Sequence, residues 1–218
     1  MPPSNILLAT ALCVAALTLS ACGEPPRPSI NLDRAVRIGD LDQIERHLYW
    51  GTDAGRPGPD GDYPLHVAAR QGKVVIVREL LAHGVSTSPR DHLGRTPLHV
   101  ALANGKIGVA DVLERHGTDD DLQDLLRVLV QEGSADRDTI AWLVDNHGVD
   151  PNATDSNGQA PLHLAVAAGR VKLAKHLIQA GADVNRVDAS GASPLAIAEA
   201  HGNNTAMVQL LDAYGAQR

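Results

Sequence analysis

Three kinds of residue in this sequence have types and spacings that could do chemistry: histidines that recur at fixed intervals, a run of adjacent aspartates, and two cysteines near the start. His66, His99 and His163 each follow a Pro-Leu pair, while His83, His116 and His147 each stand immediately before a glycine. Histidine exchanges its proton near neutral pH, so its regular return invites a general base or a metal ligand. Asp119, Asp120 and Asp121 present adjacent carboxylates to a cation such as calcium. Cys13 and Cys22 are the only cysteines and both fall in the first 22 residues. The rest of the chain therefore has no disulfide, cysteine nucleophile or thiolate metal site.

The elements that hold these groups decide among the chemistries. Gly51, Gly84, Gly117, Gly148, Gly181 and Gly215 follow one another at intervals of 33, 33, 31, 33 and 34 residues. Glycine suits the left-handed residue that closes a helix, so these positions mark the ends of six successive units. Equivalent side chains in stacked units sit about 8 to 10 Å apart. Zinc holds its nitrogen ligands at about 2.0 to 2.1 Å, so His83, His116 and His147 cannot share one ion and are expected as imidazoles near helix C-termini. No metal site is expected. Calcium loops spread their carboxylates around a glycine turn over about twelve residues. The contiguous run Asp119–Asp121 does not, and it is expected to cap the helix that follows.

The strongest pattern is Gly94-Arg95-Thr96-Pro97-Leu98-His99-Val100-Ala101, with relatives beginning at Gly61, Gly158 and Gly191 that place prolines at 64, 97, 161 and 194. Two of the proline intervals are 33 residues and the third is 64, so a further, shortened unit lies inside the long one. A 33-residue period carrying T-P-L-H-x-A resembles the ankyrin repeat family, over roughly residues 30 to 218. The resemblance implies an all-α fold: an ankyrin-repeat solenoid of about six stacked helix-turn-helix units with short hairpin fingers, at approximately 30–55, 56–88, 89–120, 121–152, 153–185 and 186–218. It also implies structural roles. Pro64, Pro97, Pro161 and Pro194 would start first helices, and His66, His99 and His163 would act as clasps, bonding within the motif and to the neighbouring unit, rather than as catalysts. The motif's threonine survives only as Thr96, since Tyr63, Ala160 and Ser193 replace it. The clasps of the second and fifth units are therefore expected to be altered, and Ala196 replaces the histidine in the last unit.

Composition agrees with a stack of small, aliphatic helices. Aromatic residues make up 2% and phenylalanine is absent. The first unit reads as a cap, with Leu32, Ala35 and Val36 facing inward from one helix and Leu41, Ile44 and Leu48 from the next. In the fourth unit, Leu122, Leu125, Leu126, Leu129 and Val130 form one helical stripe and Ile140, Leu143 and Val144 a second, but the finger and the TPLH phrase are missing. Trp142 is expected in the core. Trp50, beside Tyr49, is either an exposed contact point or is packed against the preceding segment or the next repeat.

Before the repeats, residues 6–21 form an apolar run of 16, too short for a spanning helix and in keeping with a secretory leader. Leu19-Ser20-Ala21-Cys22 resembles the lipobox of bacterial lipoproteins, which implies a signal peptide over 1–21 and a lipid on Cys22. The leader departs from that pattern in lacking Lys or Arg before the apolar run. The alternative is a signal without lipidation or an uncleaved anchor. Residues 22–29 would form the lipidated cysteine and a proline-rich tether, reaching roughly 20 Å. With Gly23 after the cysteine, the expected location is the bacterial cell envelope, facing the periplasm on the outer membrane, or else the soluble periplasm.

A net charge of −7 disfavours nucleic acid. With no nucleophile elbow, HExxH pair or phosphate loop, no enzyme activity and no cofactor are expected. The resemblance implies a monomeric, non-catalytic scaffold that binds a partner protein across the concave face of fingers and first helices. That face would carry Asp60, Asp62, His92, Leu93, Arg95, Ser156, Asn157 and Gln159 on fingers, and Arg70, Gln71, Asn104 and His201 on first helices. Alternative roles are an immunity protein against an envelope-acting toxin and an accessory factor for a periplasmic enzyme.

Overall fold

A computed structural model of the chain describes residues 23–200 and 205–217. The leader with Cys22, and the residues His201, Asn203 and Asn204, lie outside the described residues.

Among the described residues there are twelve α-helices and no strand, arranged as six successive pairs. They are α1 (Leu32–Ile38) with α2 (Leu41–Tyr49), α3 (Pro64–Gln71) with α4 (Val74–Ala82), and α5 (Pro97–Ala103) with α6 (Ile107–Arg115). The remaining pairs are α7 (Leu122–Glu132) with α8 (Arg137–Ala141), α9 (Pro161–Ala167) with α10 (Val171–Gln179), and α11 (Pro194–Ala200) with α12 (Thr205–Ala213). Proline stands at the start of α3, α5, α9 and α11, where its missing N–H costs nothing and its fixed φ suits the first turn. Glycines that close helices adopt left-handed φ; Gly39 at +84°, for example, closes α1 by donating to the Ala35 and Val36 carbonyls.

Successive pairs bury one continuous aliphatic core from Leu32 to Leu211, including Ile44, Leu80, Leu98, Leu113, Leu126, Leu143, Leu162 and Leu177. Among the described residues no helix is more than 11 residues long, so each owes its stability to packing against its neighbours rather than to its own propensity. In the fourth unit the expected stripes are inward, with Leu125, Leu126, Leu129, Val130, Ile140 and Leu143 buried.

Three local features complete this picture. The short fingers are tight reverse turns: in the third unit the Asp91 N–H donates to the Arg95 carbonyl (2.9 Å) and the Gly94 N–H to the Asp91 carbonyl (2.9 Å). The segment before the repeats is folded onto the first unit instead of extending away from it. The Trp50 indole N–H donates to the Pro25 carbonyl (3.1 Å), the Arg27 guanidinium lies 4.6 Å over the Trp50 ring, and the Ser29 N–H donates to Gln43 Oε1 (2.8 Å). Proline stiffness did not keep this stretch free, because α2 offers it an aromatic face and two buried polar partners, Gln43 and His47. Finally, α8 changes pitch at Trp142 into a π-helical turn over Trp142–Asn146. Trp142 itself is buried, its indole N–H donating to Asp111 (2.7 Å) and its ring 3.9 Å from that of His147.

Candidate functional site: a notch among the fingers

The fingers are built around a carboxylate that the sequence reading passed over. Asp91 Oδ1 accepts the N–H groups of Leu93 (2.9 Å) and Arg95 (3.0 Å), and its Oδ2 accepts Arg95 Nε (3.0 Å) and Nη2 (2.8 Å). Asp155 holds the Asn157 and Gln159 amides in the same way, and Asp188 those of Ser190 and Ala192. The signal was present as Asp-x-x-Gly at 91–94, 155–158 and 188–191. Burial alone would raise the Asp91 carboxyl, but the paired guanidinium and the two amides hold it down at about 2. Arg95 is therefore bound within its own finger, whereas His92 and Leu93 at the tip are exposed, Leu93 to 62%.

The motif histidines have three different environments. His66 Nε2 lies 2.9 Å from the Arg95 carbonyl of the next finger, so that nitrogen carries the proton; burial lowers the imidazole's pKa and keeps it neutral. His163 accepts the Ala160 N–H at Nδ1 (3.1 Å), and its buried Nε2 has no hydrogen-bond partner. His99 has no following finger to bond, because residues 118–121 run straight into α7 without a turn. Its Nε2 instead meets Glu132 Oε2 at 3.0 Å. Thr96 caps α5 by accepting the His99 N–H (3.1 Å) and donates its hydroxyl to Asp120 at 2.9 and 3.0 Å from the two carboxylate oxygens.

The aspartate run is divided between tasks. Asp121 caps α7 as expected, accepting the Gln123 and Asp124 amides; Asp119 accepts the Ser88 hydroxyl (2.7 Å), and Asp120 anchors Thr96. Burial raises the Asp120 carboxyl above its ordinary value, against the Thr96 hydrogen bond that lowers it. His83 and His116 each donate Nδ1–H to the carbonyl four residues earlier, at 3.0 Å, a local closure of the helix end.

Where the fourth finger would stand, two cavities flank α7. One, of about 360 Å³, is bordered by Leu93, Arg95 and His99 on one side and by Asp120, Asp124 and Glu132 on the other. The second, of about 430 Å³, lies between α7 and the fifth finger and includes Asp124, Arg127, Asp155 and Ser156. They share Asp121 and Asp124, so together they form one notch of mainly acidic character with Leu93 on its rim.

Of the expected contact residues, the structure brings Leu93, Arg95 and Ser156 to this notch. The others are distributed along the stack. Arg70 pairs with Asp62 (3.1 Å), and Arg37 holds Asp60 (3.0 Å), so the second finger is tied to α3 and α1. The Asn104 amide closes its own helix on the Val100 carbonyl (2.8 Å). Gln71 is exposed at the end of α3. The Asn157 carbonyl accepts the Ala189 N–H of the sixth finger (3.0 Å), and Gln159 forms the base of the fifth.

Among the described residues no group of three or more His, Cys, Asp or Glu side chains is arranged to hold a metal ion. The carboxylates of the notch serve as caps, clasps and turn acceptors and, in Asp124, as the partner of Arg127, and together they present a shaped surface.

Known proteins bear on this architecture. The family model for ankyrin repeats (3 copies) matches residues 32–124 and 126–217, and the single-repeat model matches residues 93–156, across the fingerless unit. Among curated proteins, the chain is 39% identical over 155 residues to the potassium channel SKOR of Arabidopsis thaliana, covering 70% of this chain and 18% of the channel. It is 30% identical over 121 residues to the putative ankyrin repeat protein YahD of Escherichia coli, covering 55% of this chain and 47% of that one. The chain thus spans under half the length of these relatives. Among solved structures, it is similar to the ankyrin repeat domain of Bcl-3, with a TM-score of 0.67 and 27% identity, covering 88% of this chain and 89% of that one. The ankyrin repeat domain of human ASB11 gives 0.66 and 26%, covering 86% and 85%. A chain in the complex of a predatory endopeptidase from Bdellovibrio bacteriovorus with an immunity protein gives 0.63 and 23%, covering 86% and 99%, a likeness of fold. The period, the paired helices, the turn-built fingers and the matched family models agree, and the chain belongs to the ankyrin repeat family.

Proposed function

We propose that this protein is a non-catalytic scaffold of the bacterial envelope, anchored by a lipid on Cys22 and facing the periplasm, which binds a partner protein at the notch among its fingers. The observation that carries the reading is the missing fourth finger. Its absence opens a recess between units that remain packed through the core, with a 62% exposed leucine on the rim and several carboxylates on the walls. Such a recess suits a loop that carries an apolar side chain beside a lysine or arginine. The apolar contact would supply affinity and the charge would orient the loop. The anchor reading is supported by the Leu-Ser-Ala-Cys sequence ending at Cys22.

Site-specific photo-crosslinking in intact cells tests the notch. A crosslinker at position 93 or 156 should give one discrete product, lost when Asp124→Lys is added. A crosslinker at Arg115, on a second helix, should not give it. An identical product from all three positions would remove the notch from the reading. Mass spectrometry of the mature N-terminus tests the anchor separately, since an unmodified Cys22 thiol excludes lipidation.

A second reading makes the partner an enzyme that this chain inhibits. A chain of the same fold occurs in a solved complex between an endopeptidase and an immunity protein, and the notch is recessed enough to receive a loop bordering an active site. The crosslinked partner distinguishes the two readings: an inhibited enzyme loses activity on stoichiometric addition of this chain, and a tethered partner does not.

A further inference from the structure

We propose that a groove between the second helices of the fourth and fifth units is a second docking surface, which takes an acidic segment of a partner protein. The groove encloses about 720 Å³ and draws Arg137, Lys172, Lys175 and His176 together over a floor that includes Ile140 and Ala141. An adjoining cavity of about 520 Å³ shares Lys172 and His176 and extends the groove toward the start of α10. None of its lining residues belongs to the notch described above, which is built from fingers and α7.

Arg37, Arg46, Arg56, Arg70, Arg95 and Arg127 each pair with an aspartate, whereas among the described residues Arg137, Lys172 and Lys175 make no ion pair, and this groove brings the three together. All three are exposed. The carboxylates that border it are Asp145 in the groove and Asp136 in the adjoining cavity, both exposed. The His176 Nδ1 atom is buried without a hydrogen-bond partner. In a chain of net charge −7, three unpaired cations around an unsatisfied imidazole form a local reversal of sign.

The shape selects the occupant. A bilayer presents a broad, flat surface of headgroups, but this site is a recess between two helices with an apolar floor. From Lys172 to Gln179 the wall extends about 10 Å at 1.5 Å per residue, enough for two turns of a helix or about three extended residues. One wall is the stretch in which α8 passes into its π-helical turn, with Ile140 and Ala141 just before the change of pitch and Asp145 within it. Such π turns occur frequently at functional sites. Glutamates or aspartates on a segment laid in the groove would meet Lys172, Lys175 and Arg137, while an interspersed leucine would cover the floor. With the acidic notch among the fingers, the chain would then have two faces of opposite preference and could hold two different partners at once.

The probe is a fluorescent, glutamate-rich peptide of about ten residues with two leucines, a length that exceeds the groove in helical or extended form. It is titrated by anisotropy against the purified full chain. The Lys172→Gln/Lys175→Gln variant should bind at least tenfold more weakly, and affinity should fall steeply with added salt. Arg78→Gln/Arg115→Gln, which makes the same charge change on exposed residues of α4 and α6, should bind as the parent does. Asp124→Lys should also leave peptide binding intact, which separates this surface from the notch. Thermal unfolding of each variant checks the fold. Absence of peptide binding, or equal weakening by the Arg78/Arg115 variant, overturns the proposal. So does Lys172-dependent binding to phosphatidylglycerol vesicles without binding to the peptide.

Discussion

Asp91 fixes its finger and His66 ties that finger to the unit before it, and both act in the deprotonated form. Asp91 must be ionised to accept four hydrogen bonds, and its pKa of about 2 lies below the ordinary 3.8. Its contribution is therefore complete above about 3.8 and is lost as pH falls toward 2, to the extent of about 2 kcal/mol. Asp91→Asn keeps one acceptor oxygen but gives up the ion pair, so urea denaturation should show a loss of about 1 to 2 kcal/mol at pH 7. The parent and variant should converge in stability as pH is lowered through that window. His66 must be neutral, and burial lowers its pKa from 6.5. Its unfolded form takes up a proton first, so this contribution is complete above about 6.5 and declines below it. In His66→Ala the slope of stability against pH below about 6.5 should flatten. The repeated Pro-Leu-His phrase was visible in the sequence, but the histidines' partners were not. His66 bonds a backbone carbonyl, which has no residue signature, and His99 bonds a glutamate 33 residues away that belongs to no motif.

At the level of elements, the position before the second helix fastens the second and fifth units each to the one before. Lys73 Nζ donates to the Val36 carbonyl (2.9 Å) and the Arg37 carbonyl (2.8 Å) at the end of α1. Its chain end occupies the space beside Gly39, where a Cβ would stand 3.0 Å from Nζ. Glycine at 39 is thus required by the left-handed φ and by the lysine passing over it. Arg170 repeats the contact on the end of α7 through the Gln131 carbonyl (2.8 Å). In the fourth unit the position is Asp136, which cannot donate to a carbonyl, and the buried Thr139 hydroxyl reaches the Leu102 carbonyl (2.9 Å) instead. Lys73→Met keeps the apolar stem and removes the charge from a helix C-terminus. It should cost about 1 to 2 kcal/mol in chemical denaturation, with Thr139→Val comparable because it leaves a buried carbonyl short of a donor. The helices themselves were legible because prolines, glycines and apolar spacing agree. The π turn was not, since it answers to Trp142 reaching Asp111 on another unit.

For the whole molecule, the fingerless unit is the point at which the two halves of the stack are joined differently from elsewhere. The units on either side were legible from the 33-residue period, and so was the loss of the finger, because a missing phrase is as visible as a repeated one. What replaces it was not legible, because the substitutes are single side chains from unrelated positions. Across the gap the finger side is held by Thr96 with Asp120 and His99 with Glu132, and Gln123 exchanges two hydrogen bonds with the Asp150 backbone. In a stack whose stability is a sum of unit and interface terms, weakening one interface splits cooperative unfolding at that place. Asp120→Ala with Glu132→Ala removes two side chains from this junction and leaves the 8% exposed His99 without its partner, a loss of about 2 to 4 kcal/mol at a single interface. Native-state hydrogen exchange in low urea should then show residues 32–115 and 161–213 opening with different free energies, where the parent protects them together. If the two segments still open as one, the coupling rests on the core contacts of α5 and α7, centred on Leu98, Leu102, Leu126 and Leu129, and the polar junction only shapes the notch.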